Sequence, residues 1–155
     1  MEKIIVTLSI FALFLSACAP AEKPDVAQNG IEIYQARILV PGGESMNGDD
    51  MEMMNLAAFM LIKNTSNSAD RLLSVVSDFA EASIHETTMD GDVMKMEEVA
   101  GVDIPAGQSV ELKSGSYHIM LVNPTKSLKV GNTVTLTLEF EKAGPIVVLF
   151  QVVAQ

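Results

Sequence analysis

The chain contains few of the residues that most metal, redox and nucleic-acid-binding proteins depend on. Its 155 residues include one cysteine, two histidines and no tryptophan, and aromatic residues make up 5% of the total. A single cysteine excludes an internal disulfide and a thiolate cluster. Basic residues are also scarce, because 10 Lys and Arg stand against 20 Asp and Glu, which gives a net charge of −10. Such a surface repels phosphate backbones, so we predict that the protein does not bind nucleic acid.

Two kinds of residue are abundant instead. Apolar residues make up 48% of the chain, and ten residues are methionine. The apolar fraction suits one folded domain of this length and argues against disorder. Methionine fills irregular gaps in protein cores, so many of the ten serve packing. Its thioether is also a soft ligand that favours copper(I) over hard cations, and methionines near a histidine are therefore candidates for a metal site.

The first 17 residues have the pattern of an export signal. A lysine at position 3 precedes an apolar run over residues 4–15 that is too short to span a membrane. The run leads through Leu-Ser-Ala to Cys18, a sequence that resembles the lipobox of bacterial lipoproteins. We therefore predict that Cys18 is lipidated, is not a metal ligand, and anchors the protein to a membrane in the periplasm or at the cell surface. Ala19, directly after the cysteine, favours the outer membrane in a cell that has two.

The remainder of the chain is predicted to form a tether and one β-domain. Residues 18–30 contain proline and glycine without hydrophobic periodicity, which is typical of a flexible tether. Residues 31–155 alternate between short apolar stretches and turn residues, which favours a single all-β sandwich or barrel. The predicted strands are residues 31–40, 56–63, 71–77, 80–89, 93–99, 109–113, 117–123, 133–141 and 146–153.

The stretch from His85 to Met96 contains a hairpin signal. The Asp-Gly pair at positions 90–91 is favoured as a two-residue loop, because both residues tolerate positive φ. With that loop His85 lies opposite Met96, at a Cβ separation of about 4.5–5.5 Å that lets both side chains bind one ion. Met89 and Met94 lie on the same face and are auxiliary candidates. A longer loop would change this register.

His118 and Met120 form a second pair. One residue separates them in a predicted strand, so both side chains point to the same side. Each histidine of the protein thus has a methionine able to share its metal, and two imidazoles with two thioethers suit copper(I). Ordinary packing is the alternative for either pair alone, and spacing by itself does not decide between the two explanations.

The intervals between these four residues resemble the motif of the periplasmic copper chaperone family of the PCu(A)C type. Ten residues separate His85 from Met96, twenty-one separate Met96 from His118, and one separates His118 from Met120. The resemblance includes the flanking turns and runs from residue 31 to the C-terminus. It implies a cupredoxin-like Greek-key β-sandwich, formed as a single domain, with an exposed copper(I) site made by these four side chains.

The resemblance also implies a role. Members of this family carry copper(I) to the dinuclear copper centre of cytochrome c oxidase, so the expected partner is its copper-bearing subunit or a thiol-bearing assembly factor. A carrier needs no enzyme chemistry, and the sequence contains no nucleophile motif. We therefore predict that the protein is not an enzyme. We also expect it to be a monomer.

Three other functions stay open from the sequence. The first is a copper buffering or resistance lipoprotein that uses the same site as a sink. It would gain capacity from the acidic loop over residues 43–55, which carries Met46, Met51, Met53 and Met54. The second is a structural or adhesive surface lipoprotein whose methionines are core. The third is a zinc or copper(II) module built from both histidines and acidic neighbours such as Glu86, in which the paired methionines have no purpose.

Overall fold

The structure, a computed structural model, describes residues 22–40 and 55–155, and every regular element in these residues is a β-strand. The predicted all-β class is therefore confirmed. The strands are β1 (Val26–Gln28), β2 (Ile31–Val40), β3 (Leu56–Asn64), β4 (Asp70–Ser77), β5 (Glu81–Asp90), β6 (Val93–Glu98), β7 (Val102–Ile104), β8 (Ser109–Leu112), β9 (Tyr117–Val122), β10 (Thr133–Phe140) and β11 (Gly144–Ala154). None of the described segments forms a helix long and apolar enough to cross a bilayer.

Strand pairing produces a sandwich with crossed connections. Hydrogen bonding runs in the order β6-β5-β9-β3-β2-β11-β10-β4-β7, with β1 added to β2 and β8 added to β3. Strands β2 and β11 pair in parallel, although they lie near opposite ends of the described chain. The sheet curls over, so that β4 contacts β5 although the two are not neighbours in the hydrogen-bonded order. Two layers thus enclose one core, as expected for the cupredoxin-like Greek-key sandwich.

The alternation of buried and exposed residues in β2 changes phase once. The buried residues of this strand are Ile31, Ile33, Ala36, Ile38 and Val40. The phase changes where the pairing of β2 with β3 shifts between Tyr34 and Arg37, and Gln35 has a φ of 54° at this point. An inserted residue of this kind is a β-bulge. It lets both halves of the strand bury their apolar side chains in the same core.

The domain begins before residue 31, because part of the predicted tether is a strand. Val26 in β1 lies opposite Ile33 in β2, and the backbone N–H of Asp25 donates to the carbonyl of Ile33 at 2.7 Å. The prediction that residues 18–30 form a flexible tether is therefore wrong for residues 26–28. An unpaired strand edge can accept a short segment that has no hydrophobic periodicity of its own.

Several predictions fall outside the described residues. These are the export signal over residues 1–17, the lipidation of Cys18, and the proposed second copper site in the acidic loop with Met46, Met51, Met53 and Met54.

Candidate metal site

Strands β5, β6 and β9 place all four predicted ligands on one face of the sheet. His85 lies directly opposite His118, and their ring centroids are 5.9 Å apart. Met120 is two residues from His118, and Met96 lies opposite Thr87, which is two residues from His85. Directly opposed residues share a face, and so do residues two apart in one strand. The two pairs identified in the sequence therefore meet at one location.

The predicted loop of the β5–β6 hairpin is wrong by one position. Asp90 pairs with Val93, so the loop residues are Gly91 and Asp92 and not the pair at 90–91. Gly91 has a φ of 62°, whereas Asp92 is not among the residues with positive φ. This combination suits a type II′ turn, which takes glycine at its first central position. A two-residue loop with positive φ at both residues, as expected for positions 90–91, would be a type I′ turn.

The new loop shifts the predicted pairing by two residues. His85 lies opposite Glu98 and not opposite Met96, while Met89 lies directly opposite Met94. Because side-chain direction repeats every two residues, a shift of two leaves every side chain on its predicted face. Met96 therefore stays on the face of His85. It lies opposite Thr87, two residues nearer the turn than His85.

A cavity of about 140 Å³ opens on this face next to His118. His118 is only 4% exposed, whereas Met96 is 49% exposed. The lining residues are Ala57, Phe59, Thr87, Met94, Met96, Ser114, Gly115 and His118. Met94 thus joins Met96 and His118 around the cavity, which supports its place as an auxiliary candidate. His85 and Met120 do not line the cavity and lie beside His118 on the sheet.

Each imidazole is held through one ring nitrogen, and the other nitrogen is left without a protein partner among the described residues. Nδ1 of His118 lies 3.1 Å from the carbonyl oxygen of Ser116. A carbonyl only accepts, so Nδ1 carries the proton and Nε2 of the neutral ring is available to a metal. Nε2 of His85 lies 2.9 Å from Oγ of Ser83, while Nδ1 of His85 is buried without a partner. A buried polar atom without a partner costs free energy, and a bound metal ion would satisfy it.

The surroundings favour a soft metal ion over a hard one. Within residues 22–40 and 55–155, no three His, Cys, Asp or Glu side chains lie close enough together to hold a metal. Burial raises the pKa of Tyr117, and the nearby Glu86 carboxylate raises it further. The phenol stays neutral. Tyr117 also precedes His118 in β9, so its side chain points to the opposite face and is not a ligand of this site. The two imidazoles and the thioethers on this face suit copper(I).

Phe59 and Ser83 are among the residues around the site that were not predicted from the sequence. Phe59 is buried, and its ring centroid lies 6.5 Å from that of His118. The guanidinium of Arg37 lies 5.8 Å from the centroid of Phe59. Phe59 stands in an apolar strand, where an aromatic residue ordinarily indicates core, so no signal marked it. Ser83 could have been found, because it precedes His85 by two residues and must share its face.

Comparison of the sequence with known families gives a match over most of the domain. The model of the family described as "LpqE-like: Putative lipoprotein LpqE-like" matches residues 31–152. A protein of Leifsonia xyli subsp. xyli named "Putative lipoprotein Lxx21020" is 28% identical over 141 residues, which cover 86% of this chain and 79% of that protein.

Comparison with solved structures agrees with the fold. The structure named "Copper-bound PCuAC domain from PmoF2" has a TM-score of 0.66 and 26% identity, and the match covers 84% of this chain and 97% of that chain. The solution structure of "CuI-DR1885" from Deinococcus radiodurans has a TM-score of 0.57 and 24% identity over 78% of each chain, a likeness of fold. The chain belongs to the LpqE-like family, and its domain is of the PCuAC type.

Proposed function

We propose that this protein is an extracytoplasmic copper(I) carrier that holds one ion through His85, Met96, His118 and Met120. The observation that supports this most is the state of the two histidines. They lie side by side, and each has one ring nitrogen occupied by a hydrogen bond and the other left for a ligand. The copper-bound structure of a similar domain supports the choice of metal.

The ligand set fits a protein that must release its metal. Two imidazoles and two thioethers are neutral, and none is a thiolate. An acceptor that presents thiolates, which are soft and anionic, therefore attracts copper(I) more strongly. Met96 is 49% exposed, while His118 is 4% exposed. We infer that an acceptor thiolate displaces the thioether of Met96 first, while the buried imidazole still holds the ion.

The proposed location and the proposed acceptor both rest on family resemblance. Membership among LpqE-like lipoproteins supports a lipid anchor at Cys18 and a position outside the cytoplasm. The resemblance to PCu(A)C chaperones supports delivery to the dinuclear copper centre of cytochrome c oxidase, directly or through a thiol-bearing assembly factor. We propose that the carrier acts as a monomer.

Anaerobic titration of the purified protein with copper(I), in competition with a chromogenic copper(I) chelator, tests the proposed site. We expect one tightly held ion per chain, with both nitrogen and sulfur scatterers in X-ray absorption, because the site combines imidazoles with thioethers. The control is the variant with His85→Ala and His118→Ala.

Each rival function predicts a different result in that titration. Several tightly held ions that survive His85→Ala would favour copper buffering with the Met-rich loop. Binding no stronger than in the double variant would favour a structural lipoprotein. A loaded protein without sulfur scattering would favour a zinc or copper(II) module.

Delivery is tested by mixing the copper(I)-loaded protein with the apo copper-bearing subunit of cytochrome c oxidase and separating the two. We expect copper to move to the subunit, because its thiolates are the stronger soft ligands. A subunit whose copper-binding cysteines are replaced by serine is the matched control and should receive none. Copper that stays on the carrier in both mixtures would contradict delivery to this acceptor.

A further inference from the structure

We propose that Met89 and Met94 form an entry site for copper(I) at the tip of the β5–β6 hairpin, from which the ion passes to the histidines. The inference rests on the proposed function, since it concerns how the same site is filled. It adds a second, outer location for the metal and a direction of movement.

The two methionines are placed to hold one ion together. Met89 in β5 lies directly opposite Met94 in β6, next to the pair that closes the hairpin. Directly opposed side chains on one face have Cβ atoms about 4.5–5.5 Å apart, which is within reach of two thioethers that share an ion. Their side chains lie on the same face as His85, because Met89 follows His85 by four residues in one strand.

Packing in the core does not explain why methionine stands at positions 89 and 94. Met89 is 62% exposed and Met94 is 64% exposed. Met60, by contrast, is 1% exposed and shows what a methionine does in this core. Every residue of β6 is exposed, so no apolar side chain within residues 22–40 and 55–155 covers the thioethers at the tip. Exposed thioethers at the end of a hairpin are accessible to a donor that brings copper(I).

The entry site is continuous with the inner site. Met94 also lines the cavity next to His118, together with Met96. Successive pairs on one face of a hairpin are separated by two residues, or roughly 6.8 Å along the strand. An ion held by Met89 and Met94 can therefore move to Met94 and Met96, and then to Met96 and His118. At each step one bond to copper forms as one copper–sulfur bond breaks, and copper stays in the +1 state throughout.

The test is the rate of copper uptake, measured by stopped flow as copper(I)–bicinchoninate loses its colour on mixing with the full protein. Met89→Leu keeps the apolar bulk of the side chain and removes its sulfur. We expect the rate of uptake to fall by about tenfold, while the protein still takes up one ion per chain. The matched control is Val93→Leu, since Val93 is 60% exposed on the opposite face of the same hairpin and should leave the rate unchanged.

The outcomes separate the entry site from the proposed function. An unchanged rate in Met89→Leu, with one ion still taken up, overturns the entry site and leaves the copper carrier intact. An equal slowing in Val93→Leu also overturns it, because the loss would then follow from the hairpin and not from the thioether. A native protein that takes up no copper(I) from bicinchoninate overturns both proposals.

Discussion

Replacing His118 by alanine is expected to lower the affinity for copper(I) by more than about hundredfold. Loss of a residue that only orients a ligand costs roughly 10–100-fold in metal affinity, and loss of the ligand itself should cost more. His118 is the histidine that lines the cavity, and its Nδ1 is already committed to the carbonyl of Ser116. Competition titration against a copper(I) chelator measures the change.

Imidazole rescue separates loss of a ligand from loss of the fold. His118→Ala leaves a space next to the cavity in which a free imidazole can supply the missing nitrogen. We therefore expect added imidazole to restore a large part of the copper(I) affinity, while the thermal unfolding midpoint of the variant is unaffected by it. An affinity within about twofold of the native protein, equivalent to under about 0.5 kcal/mol, would contradict a ligand role for His118.

The ligand faces could be predicted because they depend only on a period of two. His118 and Met120 share a face in any strand, and no tertiary information is needed for that. The prediction that His85 and Met96 share a face is correct although the predicted hairpin loop is not, because the error moved the pairing by an even number of residues. The meeting of the two pairs depended instead on the contact of β5 with β9, which the spacing of residues does not encode.

The register of the hairpin could not be predicted because one glycine suits two turns. Gly91 can take the second central position of a type I′ turn or the first of a type II′ turn. The two turns differ by a shift of two residues between β5 and β6, which keeps every side chain on the same face, so the apolar pattern does not choose between them. The bulge at Gln35 was missed for a related reason, since a change of phase is visible only once the core face is known.

The environment of the candidate ligands is the part of the site that sequence reasoning does not supply. The unpartnered Nδ1 of His85 and the aromatic wall of Phe59 arise from packing between strands that are distant in sequence. These features bear on the proposed function, because a buried nitrogen without a partner is a stronger indication of a ligand than a histidine near a methionine. The spacing of residues in the sequence thus predicted which side chains share a face, while the fold brings the two pairs to one location.

The largest effect on stability is expected from Phe150→Ala. Phe150 lies in β11, is fully buried, and belongs to the core between the two layers. Replacing a buried phenylalanine by alanine should lower the free energy of unfolding by about 3–5 kcal/mol, since it removes apolar contacts and leaves a cavity. For a domain of this size that corresponds to a fall of roughly 6–20 °C in Tm, measured by circular dichroism or calorimetry.

Leu149→Ala is the matched control, because Leu149 precedes Phe150 in the same strand and is 59% exposed. Its loss should change the free energy of unfolding by no more than about 0.5 kcal/mol. Equal losses in the two variants would contradict the assignment of faces in β11, because a slip of one residue exchanges the buried and exposed sets. Strand β11 carries none of the candidate ligands, so the folded fraction of Phe150→Ala should still bind one copper(I), and binding should disappear only as the chain unfolds. Loss of the ion at temperatures where the variant remains folded would mean that the site depends on the core beneath β11 as well as on β5, β6 and β9.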